Sequence, residues 1–195
     1  MGKIWAIKVV FCIFLLQNLL VTGCASNPGK KSGSAYTIEN AKRAFTQYNN
    51  YMKEGKYLEA AKFIQKDDLD ALKELFIPLL NKMIESNDIS LLLIANNLLI
   101  GKSTEEINTE EFFSNFISWI MAMQKNAQDI LRESEIEIIN CYQNKENNTV
   151  IIEYLFKHPM IEVKDFDTLI FMDGRWYLKW KQDINQLKSI LDNLL

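Results

Sequence analysis

The chain has little of what metal, redox and nucleotide chemistry require. Its only histidine is His158, and its three cysteines, Cys12, Cys24 and Cys141, lie far apart. None of these residues sits at zinc-ligand spacing, and no Gly-rich phosphate loop or nucleophile elbow occurs. A run of about 20 apolar residues, the length a membrane-spanning helix needs, is also missing. Basic residues are not in excess: 22 Lys and Arg stand against 25 Asp and Glu. No basic stripe is available to neutralise a phosphate backbone, which excludes nucleic acid as a partner class. The composition implies no cofactor and no metal. What is present is a globular composition, 48% hydrophobic, 11% aromatic and 24% charged, which argues against disorder and for a folded core.

The first 23 residues differ from the rest. Lys3 and Lys8 precede an apolar run from Val9 to Leu16, which Gln17 and Asn18 interrupt and Leu19, Leu20 and Val21 resume. A basic start, a short apolar stretch and small residues at its end are the parts of an export signal. The segment Val21-Thr22-Gly23-Cys24 resembles the bacterial lipobox, an aliphatic residue and two small residues before a required cysteine. That resemblance implies that Cys24 is the lipid-attachment residue and the first residue of the mature protein. A thiolate is the side-chain nucleophile suited to forming the thioether. Two acyl chains hold a protein stably at a bilayer where one is marginal. Residues 1–23 are therefore expected to be a lipoprotein signal peptide. Without Lys3 and Lys8 the mature chain has 20 basic and 25 acidic residues.

Residues 24–35 are small, polar and rich in Gly, Pro and Ser, as a flexible tether is. The residue after Cys24 is Ala25, not the aspartate that resembles an inner-membrane retention signal, so a two-membrane envelope would place the protein at the outer membrane. Residues 36–195 are expected to form a single α+β domain. Ala41, Ala44, Phe45, Tyr48, Tyr51 and Met52 recur at three and four residues, the stripe of an amphipathic helix that Gly55 breaks. A short helical piece follows, with Tyr57, Leu58, Ala60, Ala61 and Ile64 near one face. Asp67 or Asp68 is expected to cap a helix carrying Leu69, Leu72, Leu75, Phe76, Leu79, Leu80 and Met83, which Pro78 should bend or divide. Asn87 or Asp88 starts the apolar run Ile89 to Ile100, which reads as buried on most sides and ends at Gly101. Asn108 or Thr109 opens a helix rich in aromatic residues that is expected to continue to about Arg132.

The period then changes to two. Glu135 to Tyr142 and Thr149 to Lys157 read as a hairpin around Asn144 to Asn148. Phe166 to Met172 and Arg175 to Lys181 flank Asp173-Gly174, a turn whose two positions both need positive φ. Trp176, Leu178 and Trp180 are expected to share one strand face. Asp183 with Gln186 predicts a capped terminal helix over 184–195. Helices followed by about four antiparallel strands make an α+β fold with N-terminal helices packed on a C-terminal sheet.

The leading helix, the break at Glu54-Gly55-Lys56-Tyr57 and the hairpin Asp173-Gly174-Arg175-Trp176-Tyr177-Leu178 resemble small bacterial lipoproteins of the nuclear transport factor 2-like, cystatin-like α+β superfamily. The resemblance implies a cone-like fold in which a curved sheet wraps a helix around an apolar pocket. Phe116, Trp119, Tyr154, Trp176 and Trp180 are the candidates to line such a pocket. Enzymes of that superfamily, among them ketosteroid isomerases and polyketide cyclases, use a pocket Asp or Glu as a base, which would nominate Glu135, Glu137 or Glu153. Glu135 and Glu137 alternate with isoleucines, the habit of an exposed strand face, and solvated carboxylates are expected instead. His158, before Pro159 at a strand end, reads as a solvated or turn-pairing imidazole, and Cys141 as a small buried hydrophobe. No catalytic residue emerges. The expected role is non-enzymatic: a lipoprotein anchored in the bilayer through Cys24 that binds a protein partner or a small apolar ligand. Two alternatives stand beside it. One is a cone-fold enzyme of the isomerase, cyclase or dehydratase kind. The other is a scaffold lipoprotein, since Tyr48, Gly55, Tyr57 and Ala60-Ala61 resemble a tetratricopeptide unit.

Overall fold

The computed structural model describes residues 36–180 apart from Asn87 and Lys125, together with Ile184 and Leu187. The signal, lipobox and tether readings lie outside these residues. So does the terminal helix, except for Ile184 and Leu187, which are helical and buried. The described chain is α+β. Its helices are α1 (Ile38–Lys53), α2 (Tyr57–Ala61), α3 (Lys66–Glu85), α4 (Ile89–Leu99), α5 (Thr109–Met123) and α6 (Ala127–Glu133). Its strands are β1 (Glu135–Asn144), β2 (Thr149–His158), β3 (Ile161–Met172) and β4 (Arg175–Leu178). The chain forms two compact units, one holding the start of α1 and the sheet, the other holding residues 46–132 and 180–184.

In the helical unit α5 is central and packs against α2, α3 and α4. Its stripe of Phe112, Phe113, Phe116, Ile117 and Ile120 is buried, and each fully buried aromatic contributes on the order of 2–3 kcal/mol. A capping box starts it: the Asn108 side chain accepts from the Glu111 N–H at 2.8 Å, and the Glu111 carboxylate accepts from the Asn108 N–H at 3.4 Å. The expected continuation to Arg132 does not occur. α5 stops at Met123, Asn126 takes a left-handed φ of 70°, and α6 begins separately.

Three further expectations are corrected here. α3 is not divided at Pro78, which lies on the exposed side, where water can replace the donor that proline lacks. Its cap position is Gln65, which makes no side-chain cap bond; Asp67 and Asp68 instead lie in the first turn, where carboxylates favour the helix dipole. The run Ile89 to Ile100 is not buried on most sides. Asp88 caps it by accepting from the Ser90 N–H at 2.8 Å, and Ala95, Leu98 and Leu99 are buried, but Ile89, Leu92, Leu93 and Ile100 are exposed.

In the sheet unit the four strands form a meander in the order β1-β2-β3-β4, all pairs antiparallel. Asp173 and Gly174 turn β3 into β4 with φ of 51° and 79°, as the sequence requires. β3 begins at Ile161, five residues before the expected start, and pairs with β2 from Ile161 to Ile170. β4 ends at Leu178, so Trp180 does not share a strand face with Trp176 and Leu178. One sheet face is covered and carries Val150, Ile152, Leu169, Trp176 and Leu178, all buried. Ala41 and Phe45 of α1 are buried too, and the Phe45 ring lies 5.0 Å from that of Tyr154 on the covered face.

A bulge at Ile139 decides what the outer face carries. Before it Ile136 and Ile138 stand opposite Phe156 and Tyr154; after it Cys141 stands opposite Ile152. The extra residue exchanges the faces, so Asn140 and Tyr142 join Glu153 on the outer face.

Candidate functional site

The covered sheet face has an aromatic end and an acidic stretch. At the aromatic end the Tyr36 ring stacks on Trp176 at 5.2 Å and meets Phe171 edge-on at 5.3 Å. Along β3 this face runs Ile161, Val163, Asp165, Asp167, Leu169 and Phe171, by pairing with the covered residues of β2. Two aspartates thus interrupt an apolar row.

Asp165 is the chemically distinctive member. It stands opposite Tyr154, whose hydroxyl donates to its Oδ2 at 3.4 Å, while the Phe166 N–H donates to its Oδ1 at 2.8 Å. Burial pushes its carboxyl above the ordinary aspartate value, and these two hydrogen bonds offset only part of that effect. A carboxyl and a phenol in contact beside an apolar floor can bind a polar group of a small ligand or move a proton. Sequence reading missed Asp165 because it placed the start of β3 at Phe166. Inward acids in an otherwise alternating strand were the signal available.

Glu153, nominated as a base, is arranged differently. It is 3% exposed although it lies on the outer face, because its neighbours cover it. Its Oε2 accepts from Asn140 Nδ2 at 2.7 Å and from the Tyr142 hydroxyl at 2.6 Å, and its Oε1 pairs with the Lys164 ammonium. These donors, Lys164 first, lower its pKa from 4.5 to about 2. The expectation of a solvated carboxylate is corrected for Glu153. A group held so far below neutrality is also a weak base. Glu135 is exposed, and the exposed Glu137 pairs with Lys157.

The five proposed pocket-lining residues divide between the units. Tyr154 and Trp176 belong to the sheet unit, where they meet Phe45 and Tyr36. Phe116, Trp119 and Trp180 belong to the helical unit. There Phe116 packs on Phe76 at 4.9 Å and on Trp119 at 6.5 Å, while Trp180 lies edge-on to Phe113 at 5.1 Å.

His158 pairs with its own turn, its Nδ1 accepting from the Met160 N–H at 3.3 Å. Its ring is nearly covered, and its Nε2 lies 3.7 Å from the Glu133 carboxylate. Cys141 is a half-buried free thiol on the covered face, its pKa raised chiefly by burial. Among the described residues no group of His, Cys, Asp and Glu is placed to hold a metal ion, and no helix is long and apolar enough to cross a membrane. Comparison of the chain with protein-family models, with curated proteins and with solved structures gave no match.

Proposed function

We propose that this protein is a lipoprotein of the bacterial cell envelope, held at a bilayer by acylated Cys24, whose folded body is a non-enzymatic binding module for a small apolar ligand or a protein partner. The observation that carries the reading is the segment Val21-Thr22-Gly23-Cys24 at the end of a basic and apolar leader. The Gly-, Pro- and Ser-rich stretch after it fits a tether. The start of α1 lying on a four-stranded antiparallel sheet is compatible with the helix-on-sheet core of the nuclear transport factor 2-like superfamily. The outer membrane is the favoured location, from Ala25. Support for a binding role over catalysis comes from Glu153, whose carboxylate is fully engaged by three side chains. Intact-mass analysis of protein from native membranes tests the anchor: a diacylglyceryl adduct on residue 24 is expected, and Cys24→Ala should leave the membrane fraction. An unmodified thiol there would refute it.

A second reading is favoured by one observation. Asp165 has a raised pKa and touches the Tyr154 hydroxyl, an acid–base couple of the kind an isomerase, cyclase or dehydratase would use. Titration of the Asp165 carboxyl by NMR, with and without candidate apolar ketones, separates the two readings. A ligand-dependent shift of that carboxyl together with turnover lost in Asp165→Asn would establish the enzyme; a shift without turnover supports the binding module.

A further inference from the structure

We infer that the exposed face of α4 is a second bilayer contact, which lays the helical unit against the membrane to which Cys24 tethers it. The inference rests on the anchored reading above for the nearness of a bilayer, and on the following observations for the contact. From Ile89 to Gly101 no residue is charged. Ile89, Leu92, Leu93 and Ile100 fall at the three- and four-residue spacing of one helix face, and that face is turned outward: Ile89 is 81% exposed, Leu93 60% and Ile100 66%. Ile84, near the end of α3, is exposed as well. The opposite side, with Ala95, Leu98 and Leu99, already fills the contact with α3 and α5.

Ile100 holds this outward position in a left-handed conformation, φ 49°, which a β-branched residue rarely adopts. The polar members of the face, Asn96 and Asn97, are exposed and uncharged. Lys102, just beyond it, is paired with Glu111 at 2.6 Å. A contiguous exposed apolar face of this kind marks an interaction surface.

Two features select lipid as the occupant. The tether from Cys24 to Tyr36 spans twelve residues, which at about 3.5 Å each keep the start of the folded body within roughly 40 Å of the bilayer. Contact with lipid is then intramolecular, and a weak apolar patch suffices. A second copy of the chain is a poor alternative, since α4 has eleven residues and offers a handful of side chains, whereas a stable interface uses about 20–30 residues a side. The mature chain is acidic, so the contact must be apolar in origin and indifferent to anionic lipid.

The test is depth-dependent quenching. The lipidated mature protein, with Cys141→Ser and Leu93→Cys carrying a fluorescent label, is reconstituted in phosphatidylcholine vesicles with and without phosphatidylglycerol. A label at Met160, exposed in the sheet unit, is the comparison. The Leu93 label is expected to be quenched by nitroxide-bearing lipid and shielded from iodide, equally in both vesicles, while the Met160 label is quenched by iodide. Leu93 quenched by iodide alone, shielded from both quenchers as under a protein partner, quenched by lipid only with phosphatidylglycerol, or indistinguishable from Met160 would each overturn the inference. To separate this from the anchor, a chain beginning at residue 24 with Cys24→Ala is titrated with excess phosphatidylcholine vesicles. Its Leu93 label should still enter lipid, at higher lipid concentration. Ile89→Glu and Leu93→Glu, each followed without a label by co-sedimentation with the vesicles, should weaken that partition by about tenfold. Unchanged partition in both variants would also overturn it, whatever the mass of residue 24.

Discussion

The Trp180 N–H donates to the Asp68 carboxylate at 2.6 Å, joining residues 112 positions apart. Asp68 is buried, and the Trp180 ring lies against Phe113. Trp180 is thereby fixed to the first turn of α3, within the helical unit, by a charge-assisted bond. Asp68→Ala should destabilise the protein by about 1.5–3 kcal/mol, since it leaves that N–H without its acceptor. Asp68→Asn keeps an acceptor and should cost about half as much. Urea denaturation followed by tryptophan fluorescence measures both; an Asp68→Ala form as stable as the parent would remove this bond from the account.

Gln128 performs a similar task at the end of α1. Its Nε2 donates to the Lys53 carbonyl at 2.7 Å and more weakly to that of Met52, and its Oε1 accepts from the Tyr57 hydroxyl. Helix ends leave carbonyls without partners, and here one side chain from α6 supplies the donor. The chain can turn away at this point because Gly55 takes a φ of 72°. Gln128→Leu should cost about 1–3 kcal/mol, and Tyr57→Phe about 1 kcal/mol. In a double-mutant cycle the two losses should be less than additive; strict additivity would show that the pair is not coupled.

The parts of the fold set by local chemistry were legible in the sequence. Asp173-Gly174 demanded its hairpin, Asn108 or Thr109 the start of one helix, and Asn87 or Asp88 the start of another, because each depends on residues within a few positions of one another. The parts set by distant partners were not. Nothing adjacent to Trp180 shows that its N–H turns to Asp68. The bulge at Ile139 has no glycine to announce it, and without it Asn140 and Tyr142 would not reach Glu153. Asp165 and Asp167 hid the first half of β3 by placing acids where an alternating pattern requires apolar residues. In α4 composition was read as burial, although Ile89, Leu92 and Leu93 face outward.

The Glu153 cluster has a defined pH signature. Its carboxyl is lowered from 4.5 to about 2 by Lys164, Tyr142 and Asn140. A folded-state pKa below the unfolded one adds stability that is complete above about pH 5 and is lost as pH falls through 4.5 towards 2. The denaturation midpoint of the parent should therefore fall across that window. Glu153→Gln should be less stable than the parent at pH 7 and should show a flatter profile between pH 5 and 2, so that the two curves converge in acid. Parallel curves over that range would mean that the cluster is not formed in solution.

Ile100 joins stability to the surface it serves. An L-residue in the left-handed region carries a cost of roughly 1–2 kcal/mol, which asparagine tolerates better through its short polar side chain. Because Ile100 is exposed, Ile100→Asn removes little packing, and the denaturation midpoint should rise by an amount equivalent to about 1 kcal/mol. The same substitution deletes an apolar group from the outward face of α4, so partition of the Cys24→Ala chain onto phosphatidylcholine vesicles should fall by about tenfold. The two changes should have opposite signs: a more stable protein that holds lipid less well. A variant that gains stability and keeps its partition would show that the strain at this residue is unrelated to bilayer contact. One that loses stability would show that the isoleucine side chain contributes packing that its exposure does not reveal.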